Sequence, residues 1–575
     1  MAALSPRLRR GLLLAAAISA FLALGVIWLW RFRRGQPVDI DEAGYLSIAL
    51  GDLSGAQQGG LAGWWEAVQA PSIQAPLMTA MTTPVFLTTS GVVLPGLLVA
   101  LLLGAVMLIA TYGLGKEVAG SRVAWLAMAM TAAAPVVIWF SRSYNFAIAS
   151  GAMAALVLWT LARSRRFEHL GWSCACGVAV GLLALSRTYV LALLPALVVI
   201  ALLVLAIGPR RGRRLGGAAL AAVLAVAVAG PWYRKNGEQV WDYLTSYGYG
   251  STRAEYGTSE SVLSSDSWRR TFQYAIASTG LPLWTLWMAG LLVVVVLGLL
   301  RWRRVGVSSA VLAALRSPVL PSFVWAVWGL VMLTSTGNKG SGFLAPLVPA
   351  LAVVTARAMV GLPRRAHMVA TVAVVATLML NTVATAVDAR SDLAQNRTVS
   401  VPWLGDVTVV DGRGNLQRYV AAGGRTPQFT AARGRAWVSA NRRLAALLDR
   451  EQPAVAAFGF RHRLVNTNSV QLAQLVAGRP LLPTMMVSPT ETPNDLAAMT
   501  TWLGSGSAAY SCLLLTARGT AYEMEPLVDT MLVEHAARAS GFARTATLEL
   551  PDRRTIVIWR RPATCPVTDT TGPAA

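Results

Sequence analysis

Long runs of hydrophobic residues recur along the chain from Leu12 to Val387. Runs of about 18 to 20 residues are long enough to cross about 30 Å of hydrocarbon as an α-helix. The pattern predicts about eleven transmembrane helices, at residues 11–30, 91–114, 123–141, 144–162, 171–186, 189–207, 215–231, 279–300, 319–336, 342–360 and 367–387. After Asp388 the composition becomes that of a soluble protein. We therefore predict a membrane domain at residues 1–390 and a second domain at residues 391–575.

The second part alternates between helix-like and strand-like segments. We predict helices near residues 436–449, 469–477, 494–503 and 524–539, and strands near 454–460, 511–516, 545–550 and 555–559. Such alternation is typical of a small α/β layer domain. It carries no nucleophile motif, glycine-rich phosphate loop or metal-ligand spacing. An accessory role is expected for this domain.

Composition and charge fit a membrane protein. Hydrophobic residues make up 55% of the chain and charged residues only 13%. Soluble globular proteins typically contain fewer hydrophobic and more charged residues. The net charge of +23 comes mostly from arginines clustered between hydrophobic runs, a pattern that indicates membrane topology rather than a nucleic-acid-binding face. The clusters in alternate connections predict a multi-pass plasma-membrane protein with its N-terminus inside and its C-terminal domain extracytoplasmic. The cluster Arg31, Arg33 and Arg34 falls on the outer side against this trend.

The first hydrophobic run and the cysteines refine this topology. The run at 12–30 lacks a clear small-residue cleavage site before Arg31, so we predict an uncleaved span rather than a signal peptide. Cys174 and Cys176 fall inside a predicted span and are expected to be small apolar residues. Cys512 and Cys565 lie in the C-terminal domain, where an extracytoplasmic location permits a disulfide. The sequence leaves that pairing open.

Carboxylates are confined to the connections of the predicted membrane domain. A proton- or sodium-coupled transporter usually keeps acids near the bilayer midplane, so their placement disfavours that class. The first outer loop carries Asp39, Asp41 and Glu42. Asp39 and Glu42 have the spacing of a helix capping box. Asp41 has no such role and shares a helical face with Tyr45, so we favour a functional role for Asp41.

One span followed by Asp41-Glu42 and then Tyr45 in a large outer loop resembles the Asp-Glu motif of the GT-C superfamily, specifically family 39 glycosyltransferases. That family includes protein mannosyltransferases and the aminoarabinose transferase of lipid A. Later segments resemble family segments in the same order: 135–145, 185–189, 230–236 and 338–349. The resemblance covers about residues 10 to 390. It implies a polytopic α-helical membrane protein of GT-C type.

The resemblance also implies a reaction: transfer of a sugar from a polyprenyl-phosphate-linked donor to a hydroxyl of a glycan, lipid or protein acceptor at the outer membrane face. Asp41 and Glu42 are the catalytic candidates. Cations at outer span ends are needed to neutralise the departing phosphate, although arginines there also snorkel to headgroups. The substrate-binding candidates are Tyr45, Arg142, Asn145, Arg187, Tyr189, Tyr233 and Lys339. No metal ligands or cofactor are predicted, because the site has no histidine, and a divalent cation is left open.

Two other functions remain compatible with the sequence. A transporter or flippase of lipid-linked sugars would share the many spans and the basic outer mouth. A catalytically inactive scaffold is compatible with residues 141–145, where relatives often carry an acid, and with residues 340–343, where relatives tend to have an Arg-Tyr pair. The aromatic segment at 232–270 suits either an interfacial belt or a lid.

Overall fold

A computed structural model describes residues 5–205, 210–250, 261, 263–340, 342–387, 397–412, 431–451, 455–487, 495–518 and 529–561. Up to Ala386 the described chain forms helices joined by short connections. They are α1 (Pro6–Phe32), α2 (Ile40–Val68), α3 (Leu77–Thr88), α4 (Val93–Ala119), α5 (Ser121–Ala132), α6 (Pro135–Phe140), α7 (Phe146–Arg163), α8 (Leu170–Ala184), α9 (Leu194–Leu205), α10 (Arg211–Gly248), α11 (Ser265–Thr279), α12 (Leu281–Val305), α13 (Val307–Arg316), α14 (Leu320–Ser335), α15 (Val348–Val360) and α16 (Arg364–Ala386), with 3₁₀ helices at Thr188–Leu193 and Ala345–Leu347.

Each of the predicted spans coincides with helical structure. Among the described residues, seven helical segments are long and apolar enough to cross a membrane. The pair α13 and α14, bent by 92°, gives an eighth. Two further predicted spans correspond to the shorter apolar helices Leu170–Ala184 and Ala345–Val360. The remaining one, at 123–141, is broken into α5 and α6.

The interruption between α5 and α6 occurs just before Pro135. Proline disfavours helical geometry in the residue before it, and Ala134 is accordingly extended (φ −68°, ψ 120°). Our prediction of one continuous span at this position was wrong in that respect.

Helix α10 departs from its prediction in the opposite direction. It continues through Pro231 to Gly248, so residues 232–248 of the aromatic segment at 232–270 are helical. Contacts with neighbouring segments hold this extension: the Tyr233 hydroxyl donates to the Ala184 carbonyl at 2.8 Å, and the Asn236 carboxamide oxygen accepts from the Ser72 amide at 2.8 Å. These tertiary contacts outweigh the lost backbone hydrogen bond at proline. Residues 251–260 and 262 lie outside the described residues.

The first outer loop is built around α2, which begins with the predicted capping box. The Asp39 carboxylate accepts from the Glu42 amide at 2.8 Å, and the Glu42 carboxylate accepts from the Asp39 amide at 3.2 Å. The helix runs to Val68, with a kink at Gly59 and Gly60. Gly60 has φ +58° there, a conformation in which glycine carries no steric penalty.

The connections are sorted between two ends of the bundle. The arginine-rich connections meet at one end through ion pairs: Arg163 with Glu117 at 2.8 Å and Arg214 with Glu168 at 2.6 Å. At the other end, the α3 N-terminus joins the turn after α8 through the Leu77 amide and the Leu185 carbonyl at 2.9 Å. This grouping follows the alternation in the sequence. Which end faces the cytoplasm stays a prediction.

A β-hairpin follows the membrane helices, in a polar stretch for which the sequence predicts no secondary structure. Strands β1 (Arg397–Val401) and β2 (Gly405–Val410) pair antiparallel. The hairpin packs against α11, where the Trp403 ring meets Phe272 edge-on at 6.2 Å, and Val407 joins the hydrophobic core of the membrane helices. Residues beyond the predicted boundary at 390 therefore pack with the membrane part.

The remaining described residues form an α/β unit. In chain order its elements are α17 (Ala431–Glu451), β3 (Ala456–Phe458), α18 (Thr467–Val476), β4 (Thr484–Met486), α19 (Leu496–Gly504), β5 (Leu513–Ala517), α20 (Thr530–Ala539), β6 (Ala543–Glu549) and β7 (Thr555–Arg560). The sheet order is β4-β3-β5-β7-β6. Strand β3 is parallel to β4 and β5, and β7 is antiparallel to β5 and β6.

The α/β sheet has hydrophobic cores on both faces. Leu513 and Leu515 of β5 join the core formed with Trp437 of α17, whereas Leu514 joins the opposite core with Trp502 of α19. Alternate residues of a strand point to opposite faces, so this arrangement makes a three-layer domain. The predicted α/β class is confirmed, with β4 and the hairpin as additional elements.

The cysteines also differ between the two parts. Cys174 and Cys176 in α8 are free, and Cys176 is buried as predicted. Cys512 is disulfide-bonded. Cys565, with which the sequence left a pairing open, lies outside the described residues.

Candidate active site

Asp41 lies in the first turn of α2, and its side chain is exposed to solvent. The guanidinium groups of Arg187 and Arg463 both lie within electrostatic range of the Asp41 carboxylate. Tyr45 and Tyr243 both lie within electrostatic range of Asp41 and Arg187. We call the space between Asp41, Tyr45, Arg187, Tyr243 and Arg463 the Asp41 recess. It gathers residues from the first outer loop, the turn after α8, α10 and the C-terminal domain.

The electrostatic surroundings of Asp41 suit a base. Desolvation by the surrounding protein raises the pKa of the Asp41 carboxyl, the two guanidinium groups of Arg187 and Arg463 lower it, and Glu42 raises it. The net result is a raised pKa. A carboxylate with a raised pKa binds a proton more tightly, which favours general-base chemistry near neutral pH.

Tyr45 lies one turn after Asp41 on the same helical face, as predicted. Its ring stacks on Phe146 of α7, with centroids 4.0 Å apart and planes 18° apart. Burial raises the pKa of its phenol well above the usual value, and the charge of Asp41 adds to this effect. The phenol therefore stays protonated and available as a hydrogen-bond donor.

Arg187 occupies the tight turn that the sequence predicted. Helix α8 ends at Ala184 and the next 3₁₀ helix begins at Thr188. Two aromatic rings support the guanidinium carbon, Phe343 at 4.5 Å and Tyr189 at 5.2 Å. These rings stack 4.3 Å apart, and the Tyr189 hydroxyl donates to the Phe343 carbonyl at 2.7 Å. A guanidinium stacked on aromatic faces keeps its N–H edge directed at an anion.

Glu42 has a different environment from Asp41. Its side chain is fully buried, and both of its carboxylate oxygens accept from the Arg33 guanidinium at 2.8 Å. It also accepts from the Tyr144 amide at 3.0 Å. Glu42 thus joins α1, α2 and the segment before α7. The pair also explains why Arg33 lies at an end of the bundle where the arginine pattern did not predict it.

Three further candidates make contacts that join elements of the fold. The Asn145 side chain caps α7 by accepting from the Ala147 amide at 3.0 Å. Tyr233 donates to the end of α8, as described above. Arg142 donates to the Thr385 carbonyl at 2.6 Å and lies over the Trp28 ring at 4.3 Å. These contacts give all three residues structural roles.

Lys339 lies at the C-terminal end of α14. Its ammonium group donates to the carbonyls of Leu333 at 2.9 Å and Thr336 at 3.0 Å. Carbonyls at the end of a helix favour a cation, so Lys339 acts as a C-terminal cap. It also borders a cavity of about 510 Å³ whose lining includes Arg270 and Tyr274.

Sequence reasoning had not singled out two residues of the recess. Tyr243 was one of several aromatics in a segment expected to be a loop, and α10 now places it near Asp41. Arg463 belongs to a domain in which the sequence shows no functional motif, and no local signal marks this residue. Within the described ranges, no group of three or more His, Cys, Asp or Glu residues has metal-binding geometry.

One part of the chain is similar in sequence to a known protein family. Residues 73–233 match the family model described as dolichyl-phosphate-mannose-protein mannosyltransferase. No curated protein sequence matches the chain.

Similar folds occur among solved structures. The crystal structure of apo ArnT from Cupriavidus metallidurans matches with a TM-score of 0.55 and 14% identity over 96% of this chain and 98% of that chain. ArnT from the same organism bound to undecaprenyl phosphate matches with a TM-score of 0.53 and 16% identity, over 95% of this chain and 97% of that chain. The arabinofuranosyltransferase AftD from Mycobacteria matches with a TM-score of 0.50 and 15% identity, over 98% of this chain and 40% of that chain. Residues 73–233 are therefore similar in sequence to this mannosyltransferase family, and the chain shares its overall fold with ArnT.

Proposed function

We propose that this protein transfers a sugar from a polyprenyl-phosphate-linked donor to an acceptor hydroxyl at the outer face of the membrane. One observation carries the proposal: Asp41, which is exposed to solvent, and Arg187 come from two different connections and lie within electrostatic range of each other. A carboxylate beside a guanidinium provides the base and the phosphate partner that this reaction needs. The binding of undecaprenyl phosphate by ArnT, which has the same fold, supports the class of donor.

The chemistry divides between these two residues. Asp41 accepts the proton of the acceptor hydroxyl while the hydroxyl oxygen bonds to the anomeric carbon of the sugar. The bond from that carbon to the phosphate oxygen breaks, and its electron pair stays on the phosphate. Arg187 stabilises the added negative charge, and its stacking on Phe343 and Tyr189 fixes it before the reaction. Tyr45 lies on the Asp41 side as a donor to sugar or acceptor.

The reaction requires the recess to face the outer side of the plasma membrane, with the C-terminal domain extracytoplasmic. The disulfide-bonded state of Cys512 supports this location, because disulfides persist in oxidising compartments. The acceptor belongs to the glycans, lipids or proteins of the cell envelope.

Purified protein with a polyprenyl-phosphate sugar tests this function. Asp41→Asn removes the proton acceptor but keeps the size of the side chain, and turnover should fall by about 10² or more with little change in donor binding. Arg187→Ala should instead weaken donor use, because it removes a cation from the phosphate.

The control is Glu117→Gln, which removes an exposed acid at the arginine-rich end of the bundle and should leave transfer unchanged. Normal transfer by Asp41→Asn would contradict the proposed base. If proteoliposomes move lipid-linked sugar across the bilayer without forming a transferred product, the protein is a flippase instead.

A further inference from the structure

The C-terminal domain docks on the helix that carries Asp41. The Asn468 side chain, in the first turn of α18, donates to the Ile40 carbonyl at 3.0 Å. A Cβ atom at Gly44 would lie only 2.9 Å from the Asn468 amide nitrogen, so glycine at this position permits the close approach. Ile40 and Gly44 flank Asp41 in the first turns of α2. The docking contact therefore lies directly beside the candidate base.

The turn that precedes α18 is tightly hydrogen-bonded. Asn466 caps α18 through a capping box with Ser469, in which each side chain accepts from the other residue's backbone amide. The Asn466 side-chain nitrogen also donates to the carbonyls of His462 at 2.9 Å and Arg463 at 3.2 Å. The His462 ring nitrogen accepts from the Leu464 and Val465 amides, each at 3.2 Å. This turn fixes the backbone of Arg463 relative to α18. Since α18 is fixed to α2, the Arg463 side chain extends from a rigid base toward the Asp41 recess.

The charges around Asp41 show what this arginine adds. The charged groups facing Asp41 are Arg187, Arg463, Asp39 and Glu42. Glu42 is neutralised by Arg33, and burial raises the pKa of the Asp39 carboxyl well above its usual value. Two guanidinium groups, those of Arg187 and Arg463, therefore act on the Asp41 carboxylate. Guanidinium groups match the charge and geometry of phosphate oxygens, such as those of a polyprenyl-phosphate sugar.

We propose that the C-terminal domain completes the active site, with Arg463 binding the phosphate of the lipid-linked donor together with Arg187. This inference rests on the proposed function and adds a binding residue from a second domain. Two guanidinium groups also match the dianionic lipid phosphate formed when the sugar leaves. The C-terminal domain then acts in donor binding, in contrast to the accessory role expected from its sequence.

The test uses the full-length purified protein and two measurements. Binding of undecaprenyl phosphate, with neutral undecaprenol as the comparison, reports on phosphate recognition without requiring turnover. Donor KM and kcat report on the reaction. Arg463→Ala should weaken undecaprenyl phosphate binding and raise the donor KM by about tenfold or more. It should leave undecaprenol binding unchanged, and Arg463→Lys should recover part of the loss.

Arg479→Ala is the matched control, because Arg479 lies in the same domain and pairs with Asp449 away from α2. Asn468→Ala should reproduce part of the Arg463→Ala effect by loosening the docking contact. The proposal is overturned if Arg463→Ala leaves undecaprenyl phosphate binding unchanged, or if its losses are accompanied by a lower Tm and are shared by undecaprenol. Loss of phosphate binding in a protein that transfers no sugar would support this inference and contradict the proposed function separately.

Discussion

At the scale of single residues, the three neighbouring acids at the start of α2 have three different roles. Asp39 caps the helix, Glu42 pairs with Arg33, and Asp41 faces the recess. The cap was predictable because its hydrogen bonds join residues three positions apart. The Arg33 pair was not predictable, because it joins two helices and follows no local spacing rule.

The burial of Glu42 leads to a prediction about stability. Glu42→Gln leaves the Arg33 guanidinium, only 4% exposed, without its counter-charge. Breaking a buried pair in this way costs about 3–5 kcal/mol. We expect a clearly lower Tm in detergent, whereas Asp41→Asn should hardly change the Tm.

A double variant separates folding from catalysis at this pair. Arg33→Met combined with Glu42→Gln removes both charges and should regain much of the lost stability. If Glu42→Gln instead abolishes transfer at an unchanged Tm, Glu42 acts in the reaction rather than in the fold.

Asp52, further along α2, is a buried acid with one carboxylate oxygen that has no hydrogen-bond partner. Burial raises the pKa of Asp52 to about 6, and the Thr79 hydroxyl opposes this only in part. Because the folded state binds this proton more tightly than the unfolded chain, the carboxyl lowers stability progressively from about pH 4 to pH 6, and the loss then stays constant. Asp52→Asn should raise the Tm at pH 7.5, because it should increase the free energy of unfolding by about 1–3 kcal/mol. At pH 4 the Tm should change little.

Thermal unfolding in detergent at the two pH values measures this effect. Asp266→Asn, at an exposed position of α11, should change the Tm little at either pH. A lower Tm for Asp52→Asn at pH 7.5 would show that the ionised carboxylate is favoured in the fold.

At the scale of elements, hydrophobic runs predicted where helices occur better than where they end. The run at 215–231 ends at Pro231, but the helix continues because Tyr233 and Asn236 bond to distant segments. No periodicity in that polar region reports those partners. Pro135, in contrast, carried a local signal for the break between α5 and α6.

Lys339 illustrates how an element determines the role of a residue. Its position at the end of α14 predicts that Lys339→Met lowers the Tm, because the substitution removes a cation from the terminal carbonyls. A cation at this position stabilises a helix by about 0.3–1 kcal/mol. Donor KM should change much less than in Arg187→Ala. A large rise in donor KM with an unchanged Tm would instead assign Lys339 to phosphate binding, in agreement with the family resemblance.

At the scale of the whole molecule, the sequence predicted the fold class, a set of apolar helices followed by an α/β region, but not that the hairpin at 397–410 packs with the helices. It also did not indicate that the helices and the α/β region meet at the candidate base. Docking depends on Asn468 reaching the backbone of Ile40 and on the absence of a side chain at Gly44. Residues more than 400 positions apart leave no spacing pattern from which such a contact is read.

The final prediction concerns where the membrane part ends. The hairpin at 397–410 contributes Val407 and Val410, each 2% exposed, and its Trp403 meets α11. A chain ending at residue 412 keeps these contacts and should purify as a monodisperse species. A chain ending at residue 387 loses this burial, with each buried valine worth about 1.5–3 kcal/mol, and should aggregate or unfold at lower temperature. Size-exclusion chromatography and thermal unfolding of both chains test the difference. If the two behave alike, the hairpin contributes little to the bundle, and if the longer chain also aggregates, the α/β unit is required for folding as well as for the active site.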